Sequence, residues 1–391
     1  MGNHSAIRVF GFGVAAMALV SLHANSSSNT NRTPAPAPSV ERGIKWLASV
    51  QGRDGGWGQD GGETSYVRQG ENLERGGNDV ANTAVAVLAL RQAGSTPKSG
   101  PYKENVRRGV EFLLRSVEQS PRQGLAITDI TGTQIQRKLG PYIDTFLTSK
   151  LLAELDGQME SPAANARVRR ALEKCVAKVQ ANQLKDGSWN VSGGWAPILG
   201  TSIASQSLAV ARDKGVKVDQ VAMARVDDYT RRTAAEPVGV AGGVPGDVRR
   251  GGVIGGIIGG VPSAAPPPAV AASAAGVPLY KRAQELEQMS RTAEDRRKNA
   301  KEIKAIERDL GNAQFVTGFG SMGGEELFSY LNISDSLRRT GGPAWDKWRK
   351  ETFARVEGMQ NGDGTWAGHH CITGRVAVTS AAVLILAGDP R

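Results

Sequence analysis

Four residue types recur at one spacing in three distant parts of the chain: Gln51, Asp54, Gly55 and Trp57; Gln183, Asp186, Gly187 and Trp189; Gln360, Asp363, Gly364 and Trp366. A repeat of this kind makes the fold a stack of similar supersecondary units rather than one irregular core. Each copy lies between two stretches with helical periodicity. In the first, 40–50 leads, with Ile44, Trp46, Leu47 and Val50 on one face, and about 79–92 trails. Further pairs are expected at 166–180 with 201–212 and at 344–359 with 374–387. A degenerate copy over 105–155 keeps Arg108-Gly109 and Phe112-Leu113, which echo Arg42-Gly43 and Trp46-Leu47, but lacks the Gln and the Trp. Its second helix is expected at 142–155. A fourth unit starts near 219 and finishes with 325–338.

The leading stretches carry more charge. The trailing ones are apolar nearly all round, as in Val85-Ala86-Val87-Leu88-Ala89-Leu90. A helix apolar on every face is buried. Alternation of the two classes predicts an inner and an outer layer, hence an all-α fold, an α/α toroid of about five helix pairs. The turn between them has its own chemistry. Gly takes a positive φ at little cost, Asp caps turn amides, and Trp covers apolar surface while its N–H reaches a carbonyl. The twelve repeat residues are therefore read as structural.

Arg42-Gly43-x-x-Trp46-Leu47-x-x-x-Gln51-x-x-Asp54-Gly55-x-Trp57 resembles the QW repeat of squalene-hopene and oxidosqualene cyclases, a repeat family that includes the β subunits of protein prenyltransferases. Gly368-His369-His370-Cys371-Ile372 with Gly374-Arg375 resembles the last repeat of exported bacterial proteins of this prenyltransferase/squalene-cyclase type. The resemblance implies an α/α toroid with an apolar central cavity for an isoprenoid or other lipid-like ligand. The family's known chemistries are not matched residue for residue. Class II cyclases carry an Asp-x-Asp-Asp acid motif, whereas Asp227-Asp228 lacks the first Asp and Asp129-Ile130-Thr131 holds one acid. Prenyltransferases hold zinc with Asp-x-Cys and a later His, whereas no Asp stands two residues before Cys371 and no His follows it.

Residues 236–278 are low in complexity, with Gly251-Gly252, Gly255-Gly256, Gly259-Gly260 and Pro266-Pro267-Pro268. They read as a loop inside an insert spanning 236–312. The stretch 279–310 reads as one amphipathic helix, lying on the barrel or meeting a protein partner. At the other end, Arg8 and the apolar 9–22, then Leu22-His23-Ala24, read as a signal peptide over 1–24. The polar, Pro-containing 25–39 reads as a disordered linker, and the toroid as 40–391. This places the chain outside the cytoplasm, periplasmic or secreted, or held by an uncleaved N-terminal anchor. The apolar stretch is shorter than the roughly 20 residues that span a bilayer. A formal charge of +10 permits anionic partners, but aromatics are 5% and do not interleave with basic residues, so nucleic acid is not expected. The two cysteines exclude a disulfide scaffold.

One constellation could carry chemistry. After removal of the signal, His369 and His370 are the histidines left, and both adjoin Cys371. Imidazole and thiolate suit a transition metal such as zinc, with Cys371 and His370 as ligands. Asp79 and Asp144 stand near the starts of trailing helices, which a barrel of parallel inner helices would gather at one rim. The turn before 374 should reach that rim too. Catalytic roles are therefore assigned to His369, His370, Asp144 and Asp79, and ligand contacts to Asn82, Asp129, Tyr142 and Arg375. Three readings stay open: a metal or acid–base site, a polar rim above a lipid-binding barrel, or plain helix capping.

Overall fold

A computed structural model describes residues 37–59, 77–191, 197–235, 277–318 and 322–388. The chain divides into Met1–Ala35 and Pro36–Arg391. The first unit, with the signal and most of the linker expectation, lies outside the described residues, as does 236–276 of the Gly/Pro-rich loop; the last expected linker residues, Pro38 and Ser39, instead begin α1, with Pro at its first position and Ser39 buried. The second unit is helical: α1 Pro38–Ser49, α2 Val80–Gln92, α3 Lys103–Gln119, α4 Gln134–Leu139, α5 Ile143–Leu155, α6 Pro162–Ala181, α7 Pro197–Asp213, α8 Gln220–Ala235, α9 Val277–Met289, α10 Ala293–Lys298, α11 Ala300–Leu310, α12 Ala313–Val316, α13 Gly324–Thr340, α14 Pro343–Gly358 and α15 Arg375–Ala387. Among the described residues there is no β-strand, and no helix is long and apolar enough to cross a membrane.

Two layers follow from the two classes of sequence. In α2 every residue from Val80 to Leu90 is buried, whereas α3 buries one stripe, Val106, Gly109, Val110, Leu113, Leu114 and Val117. The inner helices α2, α5, α7, α9, α13 and α15 pack each on the next, and α15 packs back on α2. The ring is closed. Outside it, α1, α3, α6, α8, α11 and α14 cover the seams, so the toroid has six pairs where the repeat spacing suggested about five.

The extra pair comes from the stretch expected to be one peripheral helix. Residues 277–310 form α9, α10 and α11. The break is built by Thr292, whose hydroxyl accepts from Asp295 N while the Asp295 carboxylate accepts from Thr292 N. This reciprocal cap starts a new helix. Leu279, Tyr280, Ala283 and Leu286 are buried, and α9 packs against α7, α8 and α13 as an inner helix. Only α11 keeps the expected amphipathic form, burying Ile303, Ile306 and Leu310.

The three repeated turns share one bonding scheme. Each Trp indole donates to the carbonyl ten residues back: Trp57 to Leu47, Trp189 to Val179, Trp366 to Val356, at 2.6–2.7 Å. Each Trp amide donates to a first-turn threonine of the inner helix, Thr83, Thr201 or Thr379. Each Gln side chain spans its own turn and the next outer helix: Gln51 donates to Gly55 O and Asn105 O, Gln183 to Gly187 O and Ala222 O, Gln360 to Gly364 O and Ser39 O. The last of these joins the end of the chain to α1 and closes the outer layer. Asp54, Asp186 and Asp363 each accept from the amide two residues on. Gly55 and Gly187 have φ of 94° and 95°, and a Cβ there would lie 2.4 Å from Arg108 O and 2.2 Å from Arg225 O. Burying an indole is worth up to about 4–6 kcal/mol, so these turns clamp each helix pair to the next.

Candidate functional site

Outer and inner helices alternate, so the inner helices run parallel and their N-terminal ends share one rim. Two clusters of buried acids stand there. The first belongs to α2 and α5. Asp79 is the N-cap of α2; its Oδ1 accepts from Asn82 N and its Oδ2 from Asn82 Nδ2, both at 2.8 Å. Asp144, on the first turn of α5, reaches across to α2. Its Oδ1 accepts from Ala81 N at 3.1 Å, and its Oδ2 accepts from Gln136 Nε2 of α4 at 2.7 Å. Burial pushes Asp79 up to about 6. Burial, and then the charge of Asp79, pushes Asp144 up to about 7. Desolvation thus outweighs the favourable field of the helix N-terminus.

The second cluster belongs to α9, α13 and the segment before α15. Gly323 and Gly324 let that segment lie directly on the start of α13: a Cβ would fall 2.7 Å from His370 Cε1 and 2.6 Å from Ile372 Cβ. Glu326 is fully buried. Its Oε1 accepts from Tyr280 OH at 2.9 Å, its Oε2 accepts from Gly323 N at 2.8 Å, and His370 Nε2 lies 3.7 Å from Oε2. Burial raises Glu326 to about 7. Glu325, 1% exposed, accepts at Oε2 from Ile372 N at 3.1 Å, while its buried Oε1 has no hydrogen-bond partner. Cys371, also buried, has φ of +55°, the one non-glycine positive φ among the described residues. One donor atom each from Glu325, His370 and Cys371 lie within 4.8 Å of one another. Gln134 of α4 ties the segment down, donating to Thr373 Oγ1 and accepting from Thr373 N and Gly374 N.

Farther along the axis, the inner helices enclose a cleft of about 60 Å³. Val85, Leu88, Leu147, Ile203, Phe328, Leu331 and Leu384 form its apolar wall. The rest of the lining is polar: Gln92, Glu154 and Asp335, with a chain in which Lys150 Nζ donates to Gln206 Oε1 at 3.2 Å and Gln206 Nε2 donates to Asn332 Oδ1 at 3.0 Å. The open apolar cavity expected from the repeats is thus a narrow, partly polar cleft among the described residues. Large inward side chains from five helices fill the axis.

Comparison with known proteins agrees with this architecture. The family model of the squalene-hopene cyclase C-terminal domain matches residues 12–139. Over 75 residues the chain is 38% identical to a squalene–hopene cyclase of Bradyrhizobium diazoefficiens, a match covering 19% of this chain and 10% of that protein. The chain therefore matches about a tenth of that relative's length. The fold matches the type II terpene cyclase MstE from Scytonema, solved as a variant with its substrate geranylgeranyl dihydroxybenzoate: TM-score 0.50, 12% identity, 90% of this chain and 96% of that one.

Part of the chain is thus similar to squalene-hopene cyclases, and its fold is the α/α toroid of a terpene cyclase.

In this terpenoid cyclase-like toroid, the site read from the sequence as one rim is divided. Asp79, Asn82 and Asp144 come together, and His370 and Cys371 come together with Glu325 and Glu326. His369 is exposed, its amide donating to Met322 O. Asp129 is exposed and, with Tyr142, lines a surface groove of about 600 Å³ between the end of α3 and the loop 120–130. Arg375 pairs with Asp363 at 3.0 Å and lies over the Trp46 ring, so its guanidinium serves the repeat turn. Sequence reasoning missed Glu325, Glu326, Tyr280, Gln134 and Gln136. A signal was present for two of them: Gly323-Gly324-Glu325-Glu326 opens an inner helix at the position where Asp79 and Asp144 open theirs.

Proposed function

We propose that the protein is an exported terpenoid cyclase-like toroid that takes one end of an isoprenoid or similar lipid-like chain into the axial cleft. The observation that supports this reading is the lining: apolar walls from five inner helices beside the polar chain Lys150–Gln206–Asn332. Apolar surface binds a hydrocarbon chain in proportion to the area buried, and a few fixed polar groups orient its head. The ammonium of Lys150 suits an anionic or phenolic head group. MstE was solved with a geranylgeranyl chain on a polar aromatic head, which is a ligand of that class. A cleft of about 60 Å³ has room for about two waters, so Phe328 or Leu331 must turn aside to admit a chain. Asp79 and Asp144 are not among the lining residues; their oxygens cap α2. The reading is therefore binding, with the two acids as structural groups.

Organic extraction of the purified mature chain tests it. Mass spectrometry should find an isoprenoid-type lipid in the wild type, and Leu331→Trp, with unchanged helical circular dichroism, should lose it. A wild-type chain that carries no lipid and does not bind added geranylgeraniol would refute the reading. Export is tested separately by intact mass, with Asn25 expected as the first residue of the mature chain.

A further inference from the structure

We propose that Glu325, His370 and Cys371 bind a divalent transition-metal ion of the zinc type, with Glu326 orienting the imidazole. The inference is independent of lipid binding in the axial cleft.

Four observations converge on it. The donor set mixes a thiol sulfur, an imidazole nitrogen and a carboxylate oxygen within 4.8 Å. Thiolate and imidazole select a zinc-like ion over calcium or magnesium, which take oxygen ligands. Ligand bonds of about 2.0–2.3 Å place donors about 3.3–3.8 Å apart around one ion, so closing the site needs shifts of about 1 Å. Next, Glu325 is 1% exposed and its Oε1 has no hydrogen-bond partner, although its other oxygen is held by Ile372 N. A buried carboxylate oxygen left without a donor is costly, and a cation at that point removes the cost.

The imidazole has the expected outer support. A metal-bound histidine usually turns its second ring nitrogen to a carboxylate, which fixes the ring. His370 Nε2 lies 3.7 Å from Glu326 Oε2, and Glu326 is itself fixed by Tyr280 OH and Gly323 N. Finally, the segment is forced to present these side chains. Cys371 is held at φ +55°, a conformation that costs a non-glycine residue on the order of 1–2 kcal/mol, between hydrogen bonds from Gly324 N to Ile372 O and from Thr373 N to Gln134. Consecutive residues normally diverge; this turn is what lets His370 and Cys371 serve one ion. Three protein ligands leave a fourth position for water or a substrate group, the pattern of a zinc site open to exchange. Binding releases the thiol proton of Cys371 to solvent and changes no oxidation state.

The test uses the whole chain, expressed without a histidine tag, loaded with zinc(II), stripped of loose metal on a chelating resin and analysed by elemental mass spectrometry. About one zinc per chain is expected. Cys371→Ser and Glu325→Gln should lose it, and Glu326→Gln should weaken zinc about 10- to 100-fold. Should Cys371→Ser fail to fold, cobalt(II) added to the unaltered chain decides: a thiolate-to-cobalt charge-transfer band, kept in Cys175→Ala, supports the site. Cys175 is buried on α6 with its thiol pushed up to about 12, so it is a poor source of thiolate. No zinc in the wild type, zinc unchanged in folded Cys371→Ser, or a cobalt complex without that band overturns the proposal.

Discussion

Two pairs of acids stand at the same rim of the toroid and meet different fates. Asp79 and Asp144 have their oxygens taken up by the first turn of α2, by Asn82 and by Gln136. Glu325 and Glu326 share the burial but not the bonding: Glu326 is matched by Tyr280 OH and Gly323 N, and Glu325 keeps one oxygen without a donor. In the first pair every carboxylate oxygen accepts a hydrogen bond and caps or braces the start of α2. In the second, Glu325 Oε1 has no hydrogen-bond donor and stands beside a thiol and an imidazole. Burial alone does not separate the two pairs; the hydrogen bonds made by their carboxylate oxygens do.

The contrast can be broken by mutation. The largest effect is expected for Asp144→Ala, which strips a partner from Ala81 N and from Gln136 Nε2 in a buried setting. Each orphaned group costs about 1–3 kcal/mol, so the variant should lose roughly 3–5 kcal/mol of unfolding free energy by urea titration. A loss under about 1 kcal/mol would mean that α2 does not depend on this cap.

Next comes pH. The ordinary aspartate value lies near 3.9, while Asp79 and Asp144 are raised to about 6 and about 7. The folded state therefore holds protons that the unfolded state has released. The stability these groups contribute is complete below about pH 4 and is lost as pH rises through 6 and 7, on the order of a few kcal/mol. Glu326, raised to about 7, adds a slope of the same sign. The Asp144 share is thus the difference between wild type and Asp144→Asn, which should show a shallower fall in urea midpoint from pH 5 to 8. Parallel curves for the two proteins would sink the assignment.

Zinc sharpens the comparison further. At a hundredfold excess over its dissociation constant, an ion bound only to the folded chain adds about 2.7 kcal/mol. The wild type and Asp144→Asn should both gain that increment in thermal or urea unfolding, and Glu325→Gln should not. An equal gain in Glu325→Gln would place the ion elsewhere. The smallest effect is expected for Glu325→Gln without metal. The amide keeps an acceptor for Ile372 N and nearly the same shape, so stability should stay within about 1 kcal/mol of wild type. A large loss would make Glu325 a structural residue like Asp144.

Much of the fold was legible in the sequence. The helices α2, α5 and α15 fall within a residue of the stretches read from apolar periodicity, because that periodicity is a local consequence of which faces are buried. The Gln, Asp-Gly and Trp positions were legible for the same reason: each bonds mainly within its own turn or helix pair. The site was less so. Asp79 was recognisable as a cap from its place before an apolar run. Nothing local to Asp144 says that it caps the neighbouring helix, 63 residues away in sequence. Arg375 was placed at the rim by its number, but its guanidinium turns to Asp363 and Trp46.

By itself, then, the sequence determined two layers of helices and the turns that clamp them, since 3.6-residue periodicity and turn chemistry are written in consecutive residues. Tertiary structure decided the sixth pair, the filled axis and the meeting of Glu325 with His370 and Cys371. Those depend on how the ring closes. Residues 277–310 supply an inner helix, α9, packed between α7 and α13, and an outer one, α11, and nothing in the local sequence says which layer each joins. The donors of the second cluster meet only because two glycines let a segment 47 residues away lie against the start of α13.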